Sequence, residues 1–126
     1  MYVLAVFNSL PFDWLLRRRV ETHVTFSILN SLPVPETDAA QRVSILSSRL
    51  SCVDDRFEVW AGKLGVEWGP LPDSERREME AEIDALVARA YGLTSADLLL
   101  IFQDFVEAAI PGTYRESVIA HFERIA

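Results

Sequence analysis

Cysteine and histidine are scarce in this chain of 126 residues. Cys52 is the single cysteine, so no internal disulfide bond can form. The two histidines, His23 and His121, lie in opposite halves of the chain, and neither belongs to a motif with the spacing of metal ligands. We therefore expect no disulfide scaffold, no metal centre and no other cofactor.

Long hydrophobic runs are absent as well. A membrane-spanning helix needs roughly 18 or more uninterrupted apolar residues, whereas the most apolar segment, MYVLAVFNSLPF, is interrupted by Asn8, Ser9 and Pro11. The same segment lacks the basic start and the small-residue cleavage site of a secretory signal. We predict a cytoplasmic protein that has no membrane partner.

The motifs of common enzyme classes are missing too. The five glycines are scattered, and none precedes a Lys-Ser or Lys-Thr pair, which excludes the usual phosphate-binding loop. Neither histidine belongs to a recognisable serine or cysteine triad motif. Most carboxylates fall on the predicted solvent faces of helices. A binding or structural role is therefore favoured over catalysis.

The net charge of −7 is unevenly distributed along the chain. Residues 1–35 carry three arginines against Asp13 and Glu21, whereas residues 36–126 carry nine basic and 17 acidic residues. Phosphate contacts supply most of the affinity of nonspecific DNA binding, so an acidic body argues against such binding by the chain as a whole. Any contact with nucleic acid must be local and close to the N-terminus.

Hydrophobic periodicity predicts a mainly α fold, an irregular bundle of six to seven short helices in a single domain over residues 1–126. Residues 2–8 and 12–19 form two predicted helices, separated by a break at Asn8-Ser9-Leu10-Pro11 where Ser9 is expected to cap the second helix. Residues 20–24 alternate, which predicts a short strand or an extended segment. Thr25 is expected to cap a helical turn, and the prolines of LPVPET predict an extended linker.

Further helices are predicted from residue 37 onward. In the first of them, Ser47 and Ser48 fall opposite the apolar stripe and are expected to face solvent. The helix over residues 74–91 has the clearest pattern and ends at Gly92. The helix that follows is apolar nearly all round, because Leu99 and Leu100 add to its inward residues. We expect that helix to lie at the centre of the core.

Asp84 and the three tryptophans depart from their local patterns. Asp84 lies beside the buried stripe of its helix, where a carboxylate needs hydrogen-bond donors. We expect a structural pairing, with Arg89 or with a residue outside the helix. Trp14 and Trp60 are next to apolar helix faces and are predicted to anchor the core, whereas Trp68 is predicted to be exposed.

Three motifs resemble a known family: LAVFNSLPFDWLLRRRV, THVTFSILNSLPVP and EIDALVARAYGLTSADLLLIFQDF. They look like the C-terminal ends of large N6-adenine DNA methyltransferases of the combined restriction-modification type, called type IIG. There, a passage similar to the first two motifs closes the target-recognition region, and a helical tail similar to the third ends the chain. The likeness covers about residues 2–35 and 73–106, in the same order. The positions that define it structurally are Asn8, Ser9, Pro33, Pro35, Asp84, Tyr91 and Gly92.

The resemblance implies that residues 1–35 are the end of a recognition domain and that residues 36–126 are a helical tail. It makes the polar residues around the end of the second helix candidates for contacts to DNA phosphates, which position a protein without reading sequence: Arg17, Arg18, Arg19, Thr22 and His23. The arginines also have a purely structural explanation. Cations in the last turn of a helix are stabilised by the helix dipole by about 0.3 kcal/mol or more.

The catalytic motifs of that family are absent from this chain. It has no Asn-Pro-Pro-Tyr or Asp-Pro-Pro-Tyr loop for the flipped adenine, no glycine-containing turn for S-adenosylmethionine and no nuclease-like cluster. The resemblance therefore implies a terminal fragment or a stand-alone remnant that is not an enzyme by itself.

Two hypotheses for the function follow. The first is a non-catalytic recognition and scaffold module of a restriction-modification methyltransferase. Its partners would be the catalytic domains of the parent enzyme and, weakly, DNA, and its apolar first helix would favour self-association when isolated. The second is an independent helical protein–protein interaction domain that does not bind DNA.

Overall fold

The computed structural model describes residues 1–125 and is mainly helical, as predicted. It contains eight α-helices and one 3-10 turn, Asp55–Phe57, within that range. The count is one above the predicted maximum because the turn capped by Thr25 forms a helix of its own. The helices are α1 (Tyr2–Phe7), α2 (Leu10–Arg17), α3 (Phe26–Ser31), α4 (Ala40–Ser51), α5 (Glu58–Leu64), α6 (Asp73–Ala90), α7 (Ser95–Gln103) and α8 (Gly112–Arg124).

Of the two alternatives predicted for residues 20–24, a short strand or an extended segment, the strand does not form. Residues 21 and 22 form a bend, and residues 21–24 are exposed. A strand is stabilised by ladder hydrogen bonds to a neighbouring strand, and no other strand exists in the described part of the chain. The alternating residues of this segment therefore have no neighbouring strand to pair with.

Helix α6 is the centre of the fold. One of its faces packs Ile83, Leu86 and Val87 against α1, α2 and α4. The opposite face carries small residues, Ala81, Ala85 and Ala88, which let α8 approach closely with Tyr114, Val118 and Phe122. Because α6 has apolar surface on both sides, it is buried between two groups of helices.

Helix α7 lies at the edge of the bundle, so its predicted central position is wrong. Leu98, Ile101 and Phe102 are buried, but Leu99 and Leu100 are 55% and 57% exposed. The helix packs mainly against α8, and its outer apolar residues have no neighbour in the described chain to cover them. Its N-terminus is fixed by a capping box between Thr94 and Asp97.

The predictions for two other helices also need correction. Ser47 and Ser48 of α4 are buried. The Ser48 hydroxyl donates to the Ser44 carbonyl at 2.7 Å, so a small polar side chain is satisfied within its own helix and can enter the core.

Trp60 is 41% exposed because α5 buries only Ala61. Trp68 is exposed as predicted.

None of the helices in residues 1–125, taken one at a time, has the length and apolar composition of a membrane span. Helices α6 and α7 have that length and composition only when they are taken together, and the two helices are bent by 119° relative to each other.

Candidate functional site

The five residues proposed for DNA contact lie at the end of α2 and in the segment that follows it. All five side chains are exposed. The structure therefore leaves them accessible to a ligand. Among residues 1–125, Arg17 and Arg18 have side-chain partners, whereas the other three do not.

Arg17 forms a bidentate ion pair with Asp13, one turn earlier on the same helix. Its Nε and Nη2 atoms donate to the two Asp13 carboxylate oxygens at 3.0 and 3.1 Å. The guanidinium also lies 5.1 Å from the centre of the Phe105 ring. This bidentate pair is a strong type of surface contact, and it occupies two of the five N–H donors of Arg17.

Arg18 belongs to an exposed cluster that joins α2 to the end of α7. Its guanidinium stacks 4.5 Å above the Trp14 ring and pairs with Asp104. The Trp14 indole N–H donates to the same Asp104 oxygen at 2.6 Å. One carboxylate thus holds both the arginine and the tryptophan, which explains why Trp14 is half-buried and anchored by its polar edge.

Arg19, Thr22 and His23 make no side-chain hydrogen bond or ion pair among residues 1–125. Arg19 contributes only its backbone N–H, which donates to the Leu16 carbonyl at 2.9 Å. Of the five candidates, these three keep their donors available for an external acceptor.

The residues that define the sequence likeness come together at a second place, inside the fold. We call it the joint: Asp84 of α6 with the backbone of Leu10, and Tyr91 with the backbone of Pro33. Asp84 Oδ1 accepts from the Leu10 N–H at 2.8 Å, and the Tyr91 hydroxyl donates to the Pro33 carbonyl at 2.7 Å. The joint links residues that are 74 and 58 positions apart.

The joint supplies the N-terminal cap of α2. Ser9 has the predicted cap position and extended backbone, but its hydroxyl donates to the Val6 carbonyl at 2.7 Å instead of accepting from α2. The first N–H of α2 is satisfied by Asp84. The predicted position of the cap is therefore right, and the predicted chemistry is wrong, because a carboxylate from α6 takes the place of the serine hydroxyl.

Asp84 is buried, with 4% of its surface exposed. Its second oxygen accepts a short hydrogen bond from the Tyr114 hydroxyl. Burial raises the pKa of Asp84 to about 7, against the opposing effects of the hydrogen bonds from Tyr114 and Leu10. The expected partner outside the helix is thus confirmed. The expected partner Arg89 is wrong, since its guanidinium donates to the Phe122 carbonyl and lies 3.9 Å from the centre of the Phe122 ring.

The LPVP segment is held at both prolines and is not a free linker. Besides the bond from Tyr91 to Pro33, the Tyr2 hydroxyl donates to the Pro35 carbonyl at 2.6 Å. Leu32 is buried in the core formed by α1, α2, α4 and α6. The segment is extended, as predicted, and its carbonyls are free to accept side-chain donors because no helix or sheet uses them.

Asn8 and Gly92 end helices at the two sides of the joint. The Asn8 side-chain amide donates to the Leu4 carbonyl at 2.8 Å and closes the last turn of α1. Gly92 has φ of 73°, a left-handed conformation that ends α6 and returns the chain toward α7. Both residues therefore shape the ends of helices.

Sequence reasoning missed Tyr114, Tyr2 and a polar cluster between α6 and α8. In that cluster the Ser117 hydroxyl donates to Glu78 at 2.7 Å, and His121 Nε2 lies 3.5 Å from Glu78 Oε2. Glu78 stands between the serine and the histidine, so the histidine does not contact the hydroxyl as it does in a nucleophilic triad. Across residues 1–125, no group of three or more metal-ligating side chains is assembled.

Comparison with known proteins finds no matching family, no similar curated protein and no similar solved structure.

Proposed function

We propose that this chain is a non-catalytic recognition and scaffold module of an adenine-specific DNA restriction-modification methyltransferase of the type IIG-like class. In this function the helical tail, residues 36–126, braces the end of the target-recognition region, residues 1–35. The observation that carries the proposal is the joint. The two stretches of sequence that look like this class of enzyme contact each other through Asp84 and Tyr91, two of the residues that define the likeness.

A brace requires that the tail fix the backbone of the segment that it supports. Asp84 and Tyr91 both bind backbone groups, the Leu10 N–H and the Pro33 carbonyl, and each bond closes a long loop of the chain. The segment between these two anchor points contains Arg19, Thr22 and His23. Holding both of its ends limits where these three side chains can lie.

A contribution to DNA binding rests on Arg19, Thr22 and His23 more than on Arg17 and Arg18. The first three keep their donors available, whereas Arg17 and Arg18 are paired with Asp13 and Asp104. A phosphate would have to compete with these carboxylates. We infer that contact with the DNA backbone is local and weak when the chain is isolated, since few phosphates are neutralised.

The alternative function is an independent helical protein–protein interaction domain. The ion pairs of Arg17 and Arg18 favour it, because they give these arginines a role within the fold. Exposed apolar side chains also favour it, since such surface marks protein contacts: Val3, Leu4, Phe26, Leu99, Leu100 and Val106.

Fluorescence anisotropy of a mixed-sequence DNA duplex separates the two functions. We expect weak binding at low salt that falls as salt rises. Changing Arg19 and His23 to alanine should weaken it and reduce the slope of log K against log salt by about 1. Changing Arg17 and Arg18 should have a smaller effect.

Arg56→Ala is the matched control, because Arg56 is an exposed arginine that pairs with Asp54 in another part of the chain. Absence of binding at low salt, or an equal loss in the control, would reject DNA contact and leave the alternative function.

The bracing role predicts a local effect of Tyr91→Phe. Loss of the bond to Pro33 should cost about 1 kcal/mol and speed hydrogen exchange of the hydrogen-bonded amides of Leu29 and Leu32 by roughly fivefold. Thr94→Ala is the control, because loss of the α7 cap costs a similar amount at another site. Equal acceleration of these amides in both variants would contradict a specific brace.

A further inference from the structure

A cleft of about 440 Å³ opens between α1, α4, α6 and the segment before α8. Its size is within the range of sites that bind small ligands or single side chains of a partner, roughly 300–1000 Å³. Its lining includes apolar side chains such as Leu4, Leu50 and Ile83, together with the buried Asp84 and Tyr114. The cleft is separate from the arginines of α2.

Two arginines of α6, Arg76 and Arg77, line the cleft. The Arg76 side chain makes no hydrogen bond or ion pair among residues 1–125. Arg77 has a single loose ion pair, 4.0 Å from Glu80, and stacks 5.6 Å from the centre of the Tyr114 ring. Both arginines also lie beside Asp73 and Glu80 in an adjoining surface depression. What distinguishes the cleft is therefore the Arg76 guanidinium, which has no partner among residues 1–125, and not a net positive charge.

The acidic groups near the cleft form no ion pair with Arg76 among residues 1–125. Asp84 faces it from α6, but both of its oxygens already accept hydrogen bonds from Leu10 and Tyr114. Glu80 is the one other carboxylate among the described lining residues, and its contact with Arg77 is at the limit of an ion pair. Arg76 is therefore left for an external anion.

The apolar wall continues onto the surface of α1. Leu4 lines the cleft and is 46% exposed, and Val3 and Phe7 share its face of the helix by their spacing and are exposed as well. This surface extends beyond what a small ligand in the cleft would cover. An apolar surface with a charged margin is typical of a contact with another protein.

We propose that the cleft and the exposed face of α1 dock a segment of a partner protein in which apolar residues are flanked by carboxylates. The apolar side chains of the segment fill the cleft against Leu4, Leu50 and Ile83, and its carboxylates pair with Arg76 and Arg77. This inference identifies the surface through which the scaffold module binds its partner. It rests on the proposed function, which makes that partner a neighbouring domain.

The test is an NMR titration of the ¹⁵N-labelled full chain with blocked tetrapeptides as probes. Ac-Glu-Leu-Leu-Glu-NH₂ should shift the amides that line the cleft in a saturable way. Ac-Lys-Leu-Leu-Lys-NH₂ and Ac-Glu-Ser-Ser-Glu-NH₂ should not, because each lacks one of the two required features. The double change Arg76→Gln and Arg77→Gln should weaken binding roughly tenfold, whereas Arg56→Gln should leave it unchanged.

Four results would overturn the docking site: no shift at millimolar probe, equal binding of the lysine probe, equal binding of N-acetyl-leucine alone, or the same shifts on raising the protein concentration without any probe. The third would identify a small carboxylate as the ligand, and the fourth a second copy of the chain. The DNA titration does not involve the cleft, so failure of the docking site and failure of the proposed function are distinguishable.

Discussion

Asp84→Ala is expected to lower the free energy of unfolding by about 3 kcal/mol at about pH 5. The change removes the acceptor for the partly buried Leu10 N–H and the partner of the buried Tyr114 hydroxyl. Each buried polar group left without a partner costs about 1–3 kcal/mol. Urea denaturation followed by circular dichroism measures the effect.

Asp84→Asn is the matched control for this change. The asparagine side chain keeps an oxygen that accepts from Leu10 and gains an amide that can donate to the Tyr114 oxygen. We expect it to retain nearly all of the stability at the same pH. If alanine were tolerated as well as asparagine, Asp84 would not hold α2, α6 and α8 together.

The contribution of Asp84 to the stability of the protein is expected to fall as the pH rises from about 4 to about 7. The pKa of Asp84 is raised from 3.8 to about 7 by burial. Between these values the folded state keeps the proton that the unfolded state has lost, so unfolding releases a proton and is favoured by higher pH. A shift of this size corresponds to about 4 kcal/mol.

Urea denaturation of the protein and of Asp84→Asn across this pH range isolates the contribution of one carboxyl group. The neutral asparagine removes it, so the two stability curves should diverge with rising pH and the variant should be the more stable protein above pH 7. Other carboxylates titrate equally in both proteins and cancel in the difference. Parallel curves would show that Asp84 is ionised in the fold at all these pH values.

The helices were largely predictable because each depends on signals that are close together in sequence. The cap at Thr94, the left-handed glycine after α6 and the helix break at Asn8-Ser9 involve neighbours within a few positions. The strand option at residues 20–24 failed because a strand depends on a distant partner. The central position of α7 failed for a related reason: apolar residues alone do not reveal which helices will cover them.

The candidate site was predictable in location but not in chemistry. The exposure of Arg17, Arg18 and Arg19 follows from their position at a helix end. The engagement of Arg18 does not, because its partner Asp104 is 86 positions away. The same holds for Asp84: its neighbours Ile83 and Leu86 indicated burial, but nothing local indicated that Leu10 and Tyr114 would be its donors.

The sequence by itself determined the mainly helical class, most helix ends and the need of Asp84 for a partner, since these follow from short-range spacing and from the cost of burying a charge. Only the tertiary structure decided that α6 is the central helix, that the α2 cap comes from Asp84 and that Arg76 and Arg77 face a cleft. Contacts between residues far apart depend on how several helices pack at once, and no single segment of the chain encodes that arrangement.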